Sequence, residues 1–356
     1  MIFGSDNQTG ASANVLEMMT VANRGYTQGH GNDQWTKQAI DTLKRTFDCK
    51  LEAYFVSTGT AANTLALSCL VQPWEAILCH HQAHIFLDES TAPELFTGGA
   101  RMVSISNGSE KITAEHLDHY FKNAGRDLPH NPQARALSIT QASEVGLVYT
   151  PGEVRALSDA CRAKGLFVHM DGARFANAVA SLGCTPAELS WKSGVDVLCL
   201  GATKCGALCA EAVIFFNLDL SASFIHRRKR SGHLLSKGRL FGSQFVGWLQ
   251  NGHWLELAQH ANQQAAKIAE SLSCLEGLKI VWPVQSNEIF LAMPKTIADP
   301  LRDAGAEFHE WYIDALPQGV VLQDNEVLVR LVTSFETRDE DCAKFCNLVL
   351  DSVKNL

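Results

Sequence analysis

The sequence predicts an α/β protein, with a mainly parallel, helix-covered sheet in a large domain and a smaller α+β domain at the carboxyl end. Three observations carry this expectation. From about residue 53 to residue 216, short apolar runs rich in Val, Ile and Leu alternate with helix-patterned stretches of about a dozen residues, as in repeated βαβ units. His84, Asp171 and Lys204 each fall just beyond one of these runs, where open α/β sheets hold their ligands. Near residue 251 the order changes to one long helical stretch followed by short mixed pieces. The expected division is 1–250 for an N-terminal segment plus the large domain, and 251–356 for the small one.

Composition narrows the class. Of the 356 residues, 46% are hydrophobic and 19% charged, which fits a globular chain with a sizeable core. No apolar run is long enough to cross a bilayer. The segment Met1-Ile2-Phe3-Gly4-Ser5-Asp6-Asn7 lacks the basic start and apolar run of a signal peptide. Eleven cysteines without a C-x-x-C pair read as free thiols in a reducing cytoplasm. A net charge of −8 argues against a general nucleic-acid binder. The basic run His226-Arg227-Arg228-Lys229-Arg230 reads either as a solvated helix end or as an anion site.

Taken in order, residues 12–22 form a short helix with Ser12 as N-cap, and 25–33 form a glycine-bearing loop. Asp33 caps a second helix, in which Trp35, Ala39, Leu43 and Phe47 recur at helical spacing. Residues 53–67 read as strand, hydroxyl- and glycine-bearing turn, then helix. That turn is either a phosphate cradle at a helix N-terminus or a capping turn. Further strands are expected at 76–79, 101–105, 136–140, 166–170, 195–200 and 211–216, with helices near 114–122 and after Pro151. In the smaller part, helices are expected at 253–275, 297–304 and 339–353, and strands at 278–281, 288–292, 319–322 and 327–331.

Three strand-end features invite one explanation: the turn at 58–63, the acid Asp171 and the amine Lys204. Bound pyridoxal 5′-phosphate uses all three. Its phosphate needs backbone N–H donors, its pyridine nitrogen a carboxylate, and its aldehyde a lysine. Separately, Asp171-Gly172 reads as a turn and Lys204 as a loop lysine. Cys79-His80-His81-x-x-His84 carries zinc-ligand types, but no second cluster stands at ligand spacing, and no metal is expected.

With these motifs in view, the chain resembles, over nearly its whole length, the low-specificity L-threonine aldolases of the β-eliminating lyase group, fold-type I pyridoxal-phosphate enzymes. The resemblance is carried by Ser5-Asp6-Asn7, Ser57-Thr58-Gly59-Thr60-Ala61-Ala62-Asn63, Ala83-His84, His169-Met170-Asp171-Gly172-Ala173-Arg174, Gly201-Ala202-Thr203-Lys204-Cys205-Gly206 and Val329-Arg330-Leu331-Val332-Thr333. It implies that Lys204 forms the Schiff base and that Asp171 pairs with the pyridinium. Gly59, Thr60 and Asn63 are implied to hold the phosphate, with Lys229 or Arg230 reaching the phosphate of its own or a neighbouring subunit, and His84 to stack on the ring near the substrate hydroxyl. Ser5, Arg174 and Arg330 are implied around cofactor and substrate carboxylate, and His130 takes the place of a second active-site histidine. Two departures are His30-Gly31-Asn32-Asp33, where the family often has Tyr-Gly-Asp-Asp, and Cys205, where close relatives often have asparagine.

The implied reaction is retro-aldol cleavage of L-threonine, L-allo-threonine and related β-hydroxy-α-amino acids to glycine and an aldehyde. His84, or a water it orients, is the expected base. The alternatives are β-elimination or transamination on the same cofactor, or cofactor or phosphate binding without turnover. A homo-oligomer, dimer or tetramer, with sites near the subunit interface is also implied.

Overall fold

A computed structural model describes residues 1–124, 128–311, 316–317 and 319–354. The large sheet comprises β1 (Glu52–Val56), β2 (Glu75–Cys79), β3 (Arg101–Ser104), β4 (Gln133–Thr140), β5 (Phe167–Gly172), β6 (Val197–Gly201) and β7 (Glu211–Phe215), in the order β1-β7-β6-β5-β4-β2-β3. Only β7 runs against its neighbours; the β6–β5, β5–β4, β4–β2 and β2–β3 pairs are all parallel. Every residue of β6 and β7 is buried, as expected of strands covered on both faces. The mainly parallel sheet read from the sequence is the one observed.

Helices α1 (Ala13–Ala22), α2 (Gln34–Phe47), α3 (Gly59–Leu70), α4 (His84–Leu87), α5 (Ala92–Thr97), α6 (Ala114–Asn123), α7 (Pro151–Ala163), α8 (Phe175–Leu182), α9 (Pro186–Leu189), α10 (Phe224–Arg230) and α11 (Arg239–Leu249) belong to this part of the chain. Their starts follow local chemistry. The Asp33 carboxylate accepts the Thr36 N–H at 2.8 Å, and Thr150 and Glu153 form a capping box around Pro151. Ser12 does stand at the N-cap of α1 but makes no capping bond; its hydroxyl instead meets His253 Nε2 at 3.1 Å.

Helix α11 was not foreseen, because Gly242 and Gly247 lower its apparent helix propensity. Both serve packing. A Cβ on Gly242 would sit 2.4 Å from the Thr36 nitrogen, and one on Gly247 2.7 Å from the Asn14 oxygen. Bare backbone lets α11 lie directly against α1 and α2.

The long helix α12 (His253–Leu272) leads into a four-stranded antiparallel sheet. Its strands are β8 (Lys279–Ile280), β9 (Glu288–Pro294), β10 (His309–Glu310) and β11 (Glu326–Val332), in the order β10-β11-β9-β8, with α13 (Lys295–Asp303) and α14 (Asp339–Lys354) packed against them. The strand expected at 319–322 is absent. His309 and Glu310 already pair with that edge of β11, Gly319 turns at φ +85°, and Val321 is 83% exposed.

The amino-terminal segment crosses to this smaller sheet. Phe3 donates its N–H to Glu307 at 2.8 Å and accepts the Val332 N–H at 2.8 Å. Its ring meets Phe345 edge-on, with centroids 5.2 Å apart. Ser5, Asp6 and Asn7 are thereby carried to the junction between the two sheets.

Candidate active site

The carboxyl ends of the parallel strands open into one cavity of about 330 Å³, a size suited to a small ligand or cofactor. Each wall begins with a strand ending and a turn taking over. The strand β1 runs through Ser57 to Thr58, whose hydroxyl accepts the Ala61 N–H at 3.1 Å and so starts α3. Gly59 and Thr60 stand in the first turn, lining the cavity, with nothing within 4 Å of the place a Gly59 Cβ would occupy. First-turn N–H groups lack intrahelical acceptors, and their dipoles favour an anion.

Asp171, at the end of β5, faces the cavity from the floor. One carboxylate oxygen accepts the Ala173 N–H at 3.0 Å, and the other accepts the Asn63 side-chain amide at 2.8 Å. The same amide nitrogen donates to Glu89 at 2.9 Å. Asn63 is therefore turned inward as a bridge between two acids, not outward with the first-turn N–H groups of α3. Glu89, with a fully buried side chain, in turn accepts from His84 Nδ1 at 2.9 Å. That hydrogen bond pushes the His84 imidazole above its ordinary value and outweighs the opposing effect of burial.

Lys204 follows β6 in a short turn, Thr203–Cys205. Among the described residues its ammonium has no hydrogen-bond or ion-pair partner. The Arg174 guanidinium and then burial push it below the usual lysine value, against the pull of Asp6, Asp171 and Glu288. An amine held this way reaches its neutral, nucleophilic form more readily. Nearby Glu211, which accepts the Ala202 N–H at 2.8 Å, is pushed up to about 7 by burial.

Arg174 completes the lining. It donates to both oxygens of Asp6, at 2.8 and 3.1 Å, and lies 3.4 Å from Glu288. Although burial opposes its charge, Asp6 and Glu288 hold it protonated. Arg330 stands behind, 3.9 Å from Glu288 and stacked over the Trp311 ring at 4.6 Å. Among the described residues, its buried Nε and both Glu288 carboxylate oxygens have no hydrogen-bond partner.

The structure thus brings Lys204, Asp171, His84, Asn63, Gly59, Thr60 and Arg174 around one cavity, with Arg330 joined to it through Glu288. Besides Arg330, the expected residues Ser5 and His130 do not line it. Ser5 spends its hydroxyl on the Asn7 N–H at 3.1 Å, and Asn7 faces the cavity instead. His130 is exposed on the turn before β4, at the amino ends of the strands whose carboxyl ends form the site. Lys229 and Arg230 are likewise absent from the lining.

Sequence reasoning missed Glu144, Glu211 and Cys199 in the lining, and Glu89 behind it. Glu144, like Asp171 and Lys204, follows an apolar run, whereas Glu211 opens β7, whose antiparallel course brings its first residue to the same edge of the sheet. The described residues hold no cluster of three metal-ligand side chains. The Nε2 of His80 bonds to the Ser109 carbonyl and Nδ1 of His81 to the Ser106 hydroxyl.

Comparison with known proteins places these features in context. The family profile of the beta-eliminating lyases matches residues 3–296. The chain is 42% identical to the low specificity L-threonine aldolase of Pseudomonas aeruginosa over 308 residues, 86% of this chain and 88% of that one. It superposes on a threonine aldolase structure from Leishmania major with a TM-score of 0.90 and 27% identity, covering 99% of both chains. A structure of Oryza sativa TDC with PLP and tryptamine shares the fold, with a TM-score of 0.71 at 12% identity, covering 99% of this chain and 83% of that one.

Proposed function

The chain belongs to the beta-eliminating lyase family, and on that footing we propose that it cleaves L-threonine, L-allo-threonine and related β-hydroxy-α-amino acids between Cα and Cβ, giving glycine and an aldehyde. It is a lyase acting on threonine. The observation that carries the reading is the meeting, in one cavity, of the Lys204 amine, the Asp171 carboxylate and the open first turn of α3, with Arg174 at the side.

These residues fit pyridoxal 5′-phosphate. Lys204 has an unpartnered amine, Asp171 presents a carboxylate fixed by two donors, and the place beside Gly59 is clear for a phosphate. Lys204 would attach the aldehyde carbon, Asp171 hold the ring nitrogen protonated, Gly59 and Thr60 bind the phosphate, and His84 lie against the ring. Bound there, the cofactor supplies an electron-poor ring that accepts the electron pair of the broken Cα–Cβ bond.

The protein's own groups do the rest. Arg174 and Arg330 bind the substrate carboxylate, with Asp6 and Glu288 fixing their planes in advance. His84, fixed by Glu89, stands beside the β-hydroxyl. Lys204, pushed toward its neutral amine by Arg174 and by burial, is the group that would displace glycine at the end. The Asn63 bridge ties Asp171 to Glu89, the acid that holds His84, so the groups that would tune the cofactor and position the hydroxyl share one buried support.

Two coarser features accompany this reading. Leu87, 58% exposed on α4, and Leu95, 73% exposed on α5, support burial against another copy of the chain, in a dimer or tetramer. A fully active monomer on light scattering would contradict that. All eleven cysteines are free, which supports a reducing, cytoplasmic setting.

The test is release of acetaldehyde and glycine from L-threonine by protein supplied with pyridoxal 5′-phosphate, beside Lys204→Ala. The wild type releases both in equal amounts and the variant releases neither. A keto acid in place of glycine would favour β-elimination or transamination. Turnover by the variant would remove Lys204 from the mechanism.

A further inference from the structure

We propose that Glu144, and not His84, takes the proton of the substrate β-hydroxyl, with His84 acting as the hydrogen-bond donor that orients it. This rests on the retro-aldol reading above.

Glu144 lies on the cavity wall four residues beyond the end of β4. Its Oε1 accepts the Thr140 hydroxyl at 2.7 Å and the backbone N–H of His84 at 3.1 Å. The carboxyl is therefore tied to the very residue expected beside the hydroxyl. Both bonds fall on Oε1, and among the described residues no other residue donates to Oε2. The turn that carries it is rigid: the Ser143 N–H donates to the Leu147 carbonyl at 2.8 Å, and Gly146 donates back to Ser143 at 2.9 Å. A general base needs this fixed placement within reach of its proton.

His84 is differently committed. Its Nδ1 is bound to the buried Glu89 carboxylate, and that bond raises its hold on a proton. With Nδ1 held by Glu89, His84 is set to donate, and Glu144, tied to the same residue through its backbone N–H, is the group left to accept. Burial pushes the Glu144 carboxyl up to about 7, helped by the Asp171 charge and opposed by the Thr140 hydrogen bond. A carboxyl tuned to that range binds a proton from the hydroxyl far better than an ordinary surface acid. The charged and titratable groups that sense it are Asp171 on β5, Arg174 before α8, His84 on α4, Cys79 on β2 and Tyr149 on its own segment.

The step balances. The hydroxyl O–H bond breaks, its proton passes to Glu144, and its electron pair becomes the second bond of the aldehyde carbonyl. The Cα–Cβ bond breaks with its electron pair left on the Cα side. A proton is returned to Cα, giving glycine, and Glu144 releases its proton to solvent.

The experiment compares holoenzyme of wild type, Glu144→Gln, Glu144→Asp and Thr140→Val. Four readouts are used: L-threonine cleavage against pH, the absorption band of bound cofactor, glycine affinity, and exchange of the glycine α-hydrogen with deuterated water. Glycine has no β-hydroxyl, so its exchange does not call on Glu144. In Glu144→Gln, kcat falls on the order of 10²–10³-fold, while the band, glycine affinity and exchange persist. Glu144→Asp restores part of the loss. The wild-type acid limb near pH 7 disappears in Glu144→Gln and moves to higher pH in Thr140→Val, because the lost hydrogen bond had favoured the ionised carboxylate.

Cleavage by Glu144→Gln within about threefold of wild type, with the acid limb intact, overturns the proposal. Loss of the band and of glycine exchange together with cleavage overturns it too, by assigning Glu144 a structural role. A wild type that exchanges glycine yet leaves L-threonine intact defeats the retro-aldol reading itself, a result distinguishable from the other two.

Discussion

Replacing Gly201 by alanine tests whether the strand ends hold Lys204 and Arg174 in fixed relation. Strands β5 and β6 pair side by side up to Gly172 and Leu200, and the next residue of each chain segment passes backbone against backbone. A Cβ on residue 201 would lie 2.7 Å from the Ala173 carbonyl oxygen and 2.8 Å from the Ala173 Cα. Ordinary contact begins near 3.4 Å, so the two segments must part by about 0.7 Å. No flexible side chain can absorb this, because the obstructing atoms are backbone. The displacement must emerge at Lys204, three residues on, or at Arg174, the next residue after Ala173. Misplacement of about 1 Å costs roughly 10²-fold in rate, so kcat for L-threonine cleavage is expected to fall about 10- to 100-fold. Overpacking of this kind costs about 1–3 kcal/mol of stability, measured by urea unfolding. Gly10→Ala is the control, since nothing lies within 4 Å of its Cβ position; it is expected within about 0.5 kcal/mol of wild type. Wild-type kcat and stability in Gly201→Ala would refute the reasoning, because the strand ends would then yield freely.

Two further outcomes are expected. Arg330→Ala removes a charged donor from the substrate carboxylate, worth about 1.5–3 kcal/mol, so KM for L-threonine rises about 10- to 100-fold with kcat little changed; an unchanged KM moves that role to Arg174 alone. Glu211 has an ordinary value of 4.5 when unfolded and about 7 when folded. Its contribution to stability is therefore fully present below pH 4.5 and is lost as pH rises through 7. The apoprotein should lose on the order of 3 kcal/mol relative to Glu211→Gln between pH 4.5 and 8. A wild-type-minus-variant difference in urea unfolding that stays flat across this range would show that Glu211 ionises normally.

What could be read from the sequence is what short-range chemistry writes there. The turn at 58–63, Asp171 and Lys204 each end an apolar run, so their place at the strand ends follows from local pattern alone. The resemblance supplied the reaction. The partners of these residues were hidden because they come from far away in the chain: Asp6 reaches Arg174, and Glu89 reaches Asn63 and His84. Glu89 lies between two helices of four and six residues, too short to show periodicity. The misplaced strand at 319–322 has a similar cause. Its Val-Val-Leu run looks buried, but an edge position can be filled once only, and His309–Glu310 fills it. His130 was assigned from the resemblance, and no local pattern spoke for or against it.

The crossing of the amino-terminal segment has a consequence for the order in which the protein is made. Phe3 leaves the ribosome long before Val332, yet the two segments close on each other through a backbone hydrogen bond. Asp6, carried by that segment, reaches Arg174 across the same junction. The large sheet has all of its strands once residue 215 has been synthesised, and domains generally fold as they emerge. Arg174, which we propose binds the substrate carboxylate, waits for β11 before the segment that carries its counter-ion is closed in place. A nascent or truncated chain lacking β11 would present a folded sheet and a lysine, with the carboxylate clamp unset.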